Sequence, residues 1–101
     1  MLTPSQITKL KKSLRTEDAS LAKVFSVLGD KSRYRIIELL ARNEKLCVSD
    51  LAAILDISLS CASQHLRILE MSGLVESERS GQTICYRYKV HSKLQTLVDL
   101  M

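Results

Sequence analysis

The chain has 101 residues, 15 Lys and Arg against 11 Asp and Glu, a formal net charge of +4 and a pI near 9.1. That length fits one domain, and a single fold of this size buries only about two thirds of its unfolded surface, so a second copy would add burial that one copy lacks. The basic balance suits a polyanionic partner; three widely spaced cysteines and no leading apolar segment argue against a secreted disulfide framework and for a reducing cytoplasm, and no apolar run reaches the length of a membrane span.

There is no low-complexity segment and no internal repeat, and the one proline, Pro4, stands before the first helical pattern. Ile7, Leu10 and Leu14 recur at helical spacing among Lys9, Lys11, Lys12 and Arg15, which predicts an amphipathic helix with a solvated basic face. Leu21, Val24, Phe25 and Leu28 follow the i, i+3, i+4, i+7 rule up to Gly29, and Asp30 is placed to cap a helix carrying Ile36, Ile37, Leu39 and Leu40. In "KLCVSDLAAIL", Leu46 to Val48 predicts a short strand, and Ser49 with Asp50 reads as the cap and acidic first turn of a helix that buries Leu51, Ala52 and Leu55. A brief break at Asp56-Ile57, with Ser58 capping the next run, joins two helices by a tight turn, which is a helix-turn-helix pattern.

The run "SLSCASQHLRILEMSGLV", Ser58 to Val75, sorts into two faces when successive residues are placed about 100° apart around a helix axis. Ala62, Leu66 and Leu69 face the core; Ser60, Ser63, Gln64 and Arg67 fall on the opposite side, with Glu70 at the edge of the last turn. Hydroxyl, amide and guanidinium groups hydrogen-bond base edges and phosphates in a major groove, whereas an ordinary solvated helix face more often carries Glu and Lys. After Gly73 the period changes to two. Leu74 to Arg79 and Ile84 to Val90 predict two strands about a Ser80-Gly81-Gln82 turn, with Ile84, Tyr86, Tyr88 and Val90 on the buried face and Cys85, Arg87 and Lys89 on the other.

From Arg79 to Lys93 there are four basic residues and no acidic one, so this two-stranded wing projects positive charge beside the helix, suited to phosphate or minor-groove contact. Tyr86 and Tyr88, two apart, share one sheet face and read as core rather than as base-stacking residues. Leu94, Leu97, Val98 and Met101 form a last helical stripe. A three-helix core with a wing has no room for both terminal stripes, so both are assigned to a dimer interface, and two-fold symmetry then predicts a near-palindromic operator.

"VLGDKSRYRIIELL", "KLCVSDLA", "LSCASQHLRILEMSGLV" and "SGQTICYRY" together resemble the ArsR/SmtB family of winged-helix repressors, across roughly residues 20 to 90. The resemblance implies a homodimer that sits on operator DNA and leaves it when an inducer, often a metal ion or metalloid, binds. It also implies that Ser58 to Arg67 is the recognition helix, that Ser80 to Gln82 is the wing tip, and that the first and last helices dimerise.

The expected fold is mainly α with a small β-hairpin: one winged helix-turn-helix domain over residues 1–101, with dimerisation helices at 1–19 and 91–101, the helix-turn-helix at 49–72 and the wing at 74–90. Candidate DNA contacts are Ser58, Ser60, Ser63, Gln64, Arg67, Arg79, Gln82 and Arg87; candidate dimer contacts are Ile7, Leu10, Leu14, Leu94, Leu97 and Val98. The partner is double-stranded operator DNA, no cofactor is required, and the inducer is a metal, a metalloid or a thiol-reactive agent. The competing reading is a winged-helix protein-interaction module without specific DNA binding.

The sensing segment departs from the family pattern. Metal-sensing members look like E-L-C-V-C-D-L, with two thiolates, whereas here Lys45-Leu46-Cys47-Val48-Ser49-Asp50-Leu51 keeps Cys47 and has Ser49 at the partner position. A soft-metal site wants three or four thiolate or imidazole ligands, which this segment does not supply. The family's alternative site, on the last helix, is not expected either: His91 matches its start, but Lys89 stands where an acid belongs and the sequence ends at Met101. His65, one turn from Cys61, is His in much of the family and reads as a packed residue seating the recognition helix rather than a ligand or nucleophile. There is no glycine-rich phosphate loop, no pair of carboxylates in a cleft and no acid to orient either histidine, so no enzyme is expected.

In winged helices the short strand before the helix-turn-helix pairs with the second wing strand, which sets Leu46 to Val48 beside part of Ile84 to Tyr88. With Val48 and Tyr86 directed inward, Cys47 and Cys85 share the outer face. Directly opposite one another they could form a thiol pair or a linear two-thiolate site, and a register shift of two residues would separate them beyond bridging. The preferred reading at this point is the plainer one, two unrelated small residues in a reducing cytoplasm.

Overall fold

The computed structural model describes residues 1–14 and 19–89. Helix α1 (Pro4–Ser13) begins at a capping box: the Thr3 hydroxyl accepts from the Gln6 backbone N–H at 3.2 Å, and the Gln6 side-chain oxygen accepts from the Thr3 N–H at 2.8 Å. Pro4 fills the first helical position, where no N–H is needed. None of its residues is buried, and Leu2, Ile7, Leu10 and Leu14 are exposed along one surface of the arm.

Helices α2 (Ala19–Leu28) and α3 (Lys31–Arg42) meet at Gly29-Asp30. Asp30 Oδ1 accepts from the N–H groups of Ser32 at 2.9 Å and Arg33 at 3.1 Å, which starts α3 at the residue the sequence indicates. Ile36, Ile37 and Leu40 of α3 are buried. Among the described side chains of α2, Val24 and Val27 are buried, and Phe25, expected in the apolar stripe, is 53% exposed; the side chain of Leu21 lies outside the described ones. The contact face is centred between Val24 and Val27, three residues apart, and Phe25 lies about 100° around the axis from Val24.

Strand β1 (Leu46–Cys47) runs straight into α4 (Val48–Leu55). Two expectations are corrected here. Val48 opens the helix rather than ending the strand, and Cys47 rather than Ser49 is the N-cap. The cause is Asp50, whose Oδ2 reaches back to accept from the Cys47 N–H at 3.1 Å and so fixes the helix start two residues early.

The turn to α5 (Leu59–Met71) is made by Asp56 in the left-handed region, φ 56° and ψ 48°. The Ile57 N–H bonds Ala52 O at 3.0 Å and the Asp56 N–H bonds Ala53 O at 3.3 Å, so the last carbonyls of α4 are satisfied in the pattern of a Schellman motif. Helix α5 ends the same way, with Gly73 at φ 77°, Gly73 N–H to Glu70 O and Leu74 N–H to Leu69 O, both at 3.0 Å. Leu74, expected to begin the strand, instead closes this motif against Leu69, and both are fully buried.

Strands β2 (Val75–Ser80) and β3 (Thr83–Tyr88) form the wing, and β1 adds to it, giving an antiparallel sheet of order β1-β3-β2. Only Gly81 of the two-residue Gly81-Gln82 loop has positive φ, as a type II′ turn requires. Val75 and Tyr86 turn one sheet face into a core that also holds Ile36, Ile37, Leu51, Leu66, Leu69 and Leu74. Val90, His91, Lys93, Leu94, Leu97, Val98 and Met101 lie outside the described residues.

The left-handed Asp56 gives a direct test of the turn. A β-branched side chain in that region costs roughly 1–2 kcal/mol, so Asp56→Val should lower the urea midpoint by that much stability. Asp56→Gly, which adopts the conformation freely, should leave the midpoint unchanged or raise it.

Candidate nucleic-acid interface

Helix α5 is held at its start by Ser58, whose hydroxyl accepts from the Cys61 N–H at 3.0 Å. Its inner face, Ala62, Leu66 and Leu69, is fully buried. That orientation leaves Ser60, Ser63, Gln64 and Arg67 exposed on the outer face at i, i+3, i+4 and i+7. Among the described residues none of these four side chains has a hydrogen bond or an ion pair, so their polar groups are open to a ligand. Ser58 differs: one lone pair of its hydroxyl is committed to the cap.

The wing lies beside this face. In the β2–β3 register Ser77 stands opposite Tyr86 and Arg79 opposite Ile84, on the sheet face that carries Val75 toward the core. Ser77 Oγ donates to Glu70 Oε2 at 2.6 Å, tying β2 to the last turn of α5 and occupying the one acid at the edge of the polar face. Tyr86 is buried beneath this contact, and burial, followed by the nearby Glu70 charge, raises its phenol above the ordinary tyrosine range. Toward the tip, Ser63 and Leu59 of α5, Val48 and Ser49 of α4, and Gln82, Thr83 and Ile84 of the wing line one groove. Two candidate contacts, Ser63 and Gln82, therefore border the same space. Ile84, expected with the core tyrosines, is instead 38% exposed there, because the hairpin has run past the end of the core.

Arg87 does not join them. It lies on the other sheet face with Cys85, and its guanidinium is paired with Glu78, which Lys45 also approaches at 3.6 Å. The Arg87 hydrogen bond, then the Lys45 charge, lowers the Glu78 carboxyl below its ordinary value. The charge carried by Arg87 is thus answered within the chain.

His65 corrects a further expectation, that no acid orients a histidine. Its Nδ1 lies 3.9 Å from Asp30 Oδ1 and 3.5 Å from an Arg33 guanidinium nitrogen, while Arg33 Nε donates to Val27 O at 2.7 Å. A neutral imidazole accepts from Arg33 through Nδ1; a protonated one donates toward Asp30. Either way the ring ties the middle of α5 to the α2–α3 junction; Cys61, one turn earlier on α5, is a half-buried free thiol. The signal was Asp30 itself, read only as a cap.

Cys47 stands directly opposite Cys85, the register the sequence left open, and the two are joined as a disulfide. This replaces the preferred reading of two unrelated residues. Nor is the outer face open at this point: Cys85 is 3% exposed, in the central strand between Cys47 and Glu78, while Cys47 is half-buried. Among the described residues no three His, Cys, Asp or Glu side chains gather, so they do not fit a metal centre of three or four ligands. Among the same residues no helix is long and apolar enough to cross a membrane.

A helix-turn-helix whose second helix presents an unpaired polar face beside a β-hairpin defines a winged helix-turn-helix, a DNA-binding fold. Residues 30–77 match the family model described as "Bacterial regulatory protein, arsR family". The cadmium resistance transcriptional regulatory protein CadC of Listeria innocua is 32% identical over 96 residues, covering 94% of this chain and 80% of that protein. Reduced HlyU from Vibrio cholerae superposes with a TM-score of 0.79 at 26% identity, over 88% of this chain and 92% of that one. The homodimeric winged helix-turn-helix DNA-binding domain Mb0332 from Mycobacterium bovis does so at 0.68 and 26% identity, over 99% and 83%. The chain belongs to the arsR family of bacterial regulatory proteins and is a DNA-binding transcriptional regulator.

The Asp30 cap gives a pH test. Its carboxyl is lowered from 3.8, first by the Arg33 N–H hydrogen bond, with further lowering from the His65 and Arg33 charges and from the Ser32 N–H. The folded state therefore binds this proton less readily than the unfolded chain, so the contribution is complete above the ordinary value and is lost as pH falls through the lower, folded one. Asp30→Asn keeps a capping oxygen but no charge, so the stability gap between wild type and variant, measured by urea unfolding, should shrink as pH falls from 6 toward 3. A gap independent of pH would show that the charge contributes nothing.

Proposed function

We propose that this chain is a homodimeric repressor that grips a near-palindromic operator through α5 and the wing and is released from it by an inducer. The observation that carries this is the outer face of α5, where Ser60, Ser63, Gln64 and Arg67 are exposed without partners among the described residues. Gln64, an amide able to make paired hydrogen bonds to adenine, reads a base edge; Arg67 anchors on guanine or phosphate. Ser60 and Ser63 contact base edges or phosphate, and Ser58, at the helix N-terminus, approaches phosphate with the free end of its hydroxyl. Arg79 and Gln82 extend the contact through the wing. Arg87 is left out of this set because Glu78 already takes its guanidinium.

Dimerisation is supported by α1, an arm with no buried residue whose Ile7, Leu10 and Leu14 are exposed. Leu94, Leu97 and Val98 are assigned to the same interface from their sequence pattern. Two copies then present two α5 helices to successive major-groove faces of a two-fold operator. The inducer chemistry includes the metals and metalloids that family resemblance suggests, but the donors described here favour an agent that acts on the Cys47–Cys85 pair.

Operator binding measured across a salt series should fall linearly on logarithmic axes, with a slope of about −0.9 per phosphate neutralised. Gln64→Ala should cost about 1–3 kcal/mol on a selected operator and less on random duplex, whereas Arg79→Ala should weaken both alike and flatten the salt slope. An unchanged ratio of specific to random binding would remove Gln64 as a base reader.

The arm is tested separately. Leu10→Glu would bury an unpaired carboxylate in the interface at a cost on the order of 3–5 kcal/mol, so sedimentation should show a monomer at concentrations where the wild type is dimeric. An intact dimer would place the interface elsewhere.

A further inference from the structure

We propose that Cys47 and Cys85 are a reversible redox site, closed by a peroxide and opened by a small thiol, and that the closed state is the one that holds the operator. The inference rests on the reading that α5 and the wing grip DNA, and it names the chemistry that regulates that grip.

The placement carries it. The disulfide joins residues 38 apart in sequence, and the segment it encloses contains α4, α5, β2 and the first residues of β3. Every residue proposed to touch DNA, from Ser58 to Gln82, lies inside that loop. One end of the bond, Cys47, is at once the last residue of β1 and the N-cap of α4; the other, Cys85, sits in the central strand of the wing. The bond thus fixes the first helix of the helix-turn-helix to the wing at their junction. Without it, β1 is held to β3 by only two residue pairs, Leu46 with Tyr86 and Cys47 with Cys85, and a strand that short is marginal on its own. The base of the wing stays packed through Val75, Tyr86 and the Ser77–Glu70 contact, but opening the bond loosens β1 and the start of α4 against β3, so the groove between Ser63 and Gln82 is less firmly preset. Preorganisation lost in the free protein is affinity lost on binding.

The two sulfurs also divide the chemistry. Half-buried Cys47 is the one an oxidant reaches, and Cys85, 3% exposed and directly opposite, is the one that resolves. In the forward reaction the Cys47 thiol gives up its proton, and its sulfur attacks one oxygen of hydrogen peroxide. The O–O bond breaks, the sulfur becomes a sulfenic acid, and the departing hydroxide takes that proton as water. The Cys85 sulfur then attacks the Cys47 sulfur, the S–O bond breaks, and the hydroxide leaves with the Cys85 proton as a second water. Two electrons pass from the thiol pair to the peroxide. In the reverse direction a small thiol attacks one sulfur to give a mixed disulfide, and a second thiol displaces it, so both cysteines are reduced and the small thiol is oxidised to its own disulfide. The segment Lys45 to Leu51 holds no other cysteine, Ser49 standing two residues after Cys47, so this pair has no third sulfur on the segment.

The test uses the full chain and a duplex selected by it from a random-sequence pool. Binding is measured after hydrogen peroxide and after excess dithiothreitol, with peptide mapping of the cysteines in each sample. We expect a linked Cys47–Cys85 peptide and tight binding after peroxide, both cysteines free and binding weaker by on the order of tenfold after dithiothreitol, and recovery on reoxidation. Cys85→Ser and Cys47→Ser should bind as the reduced wild type in both conditions, and Cys61→Ser should behave as wild type. A bond that resists dithiothreitol until the protein unfolds, or equal or tighter binding by the reduced protein, overturns the proposal. Failure of the DNA reading looks different: no duplex is enriched in either redox state, while the peptide map still reports whether the bond opens and closes.

Discussion

Burial of one side of α5 governs what its other side presents. Leu66 and Leu69 are fully buried against a core that includes Ile36, Ile37, Leu51 and Leu74, and each such side chain stabilises the fold by about 1.5–3 kcal/mol. Rotating the helix by one residue would exchange part of that apolar contact for Gln64 or Arg67, whose buried polar groups would lack partners at a cost of about 1–3 kcal/mol or more each. The orientation of the proposed reading face is therefore set by packing it takes no part in. The caps hold the helix length to match: Ser58 at one end, Gly73 and Leu74 at the other.

Strand β3 carries the second division of labour. Among the described strands it alone is bonded to both others, and its alternation sends Tyr86 into the core and Cys85 and Arg87 to the far side. On the core side, where the hairpin overshoots, Arg79 and Ile84 stand exposed beside α5. On the far side, Arg87, Glu78 and Lys45 satisfy one another around the disulfide. The positive charge that looks uniform along the wing sequence is thus divided between a face open to a polyanion and a face neutralised within the chain.

His65 links these parts to the rest of the domain. A helix that presents a binding surface must resist the pull of its ligand, and the contacts of His65 with Asp30 and Arg33 fasten α5 where α2 meets α3. The same Asp30 carboxylate caps α3, so one short polar cluster sets both a helix start and a helix position.

The sequence by itself determined what depends on neighbours along the chain. Helical period, the Asp30 and Ser58 caps, the breaks at Asp56-Ile57 and Gly73, the hairpin turn at Gly81 and the two faces of α5 are local properties, fixed within a few residues by backbone geometry and side-chain type. Only the tertiary structure decided which partner each exposed group meets. Phe25 and Val27 have equal claims on an apolar stripe until α3 chooses the face of α2 it packs against. Arg87 is a free cation until the register sets Glu78 diagonally across from it, and the Asp50 carboxylate moves a cap from Ser49 to Cys47. Cys47 and Cys85, 38 residues apart, are unrelated until β1 and β3 pair without a shift. Strand register is settled by the summed burial of a whole sheet face, and that sum does not exist until segments far apart in the sequence have been brought together.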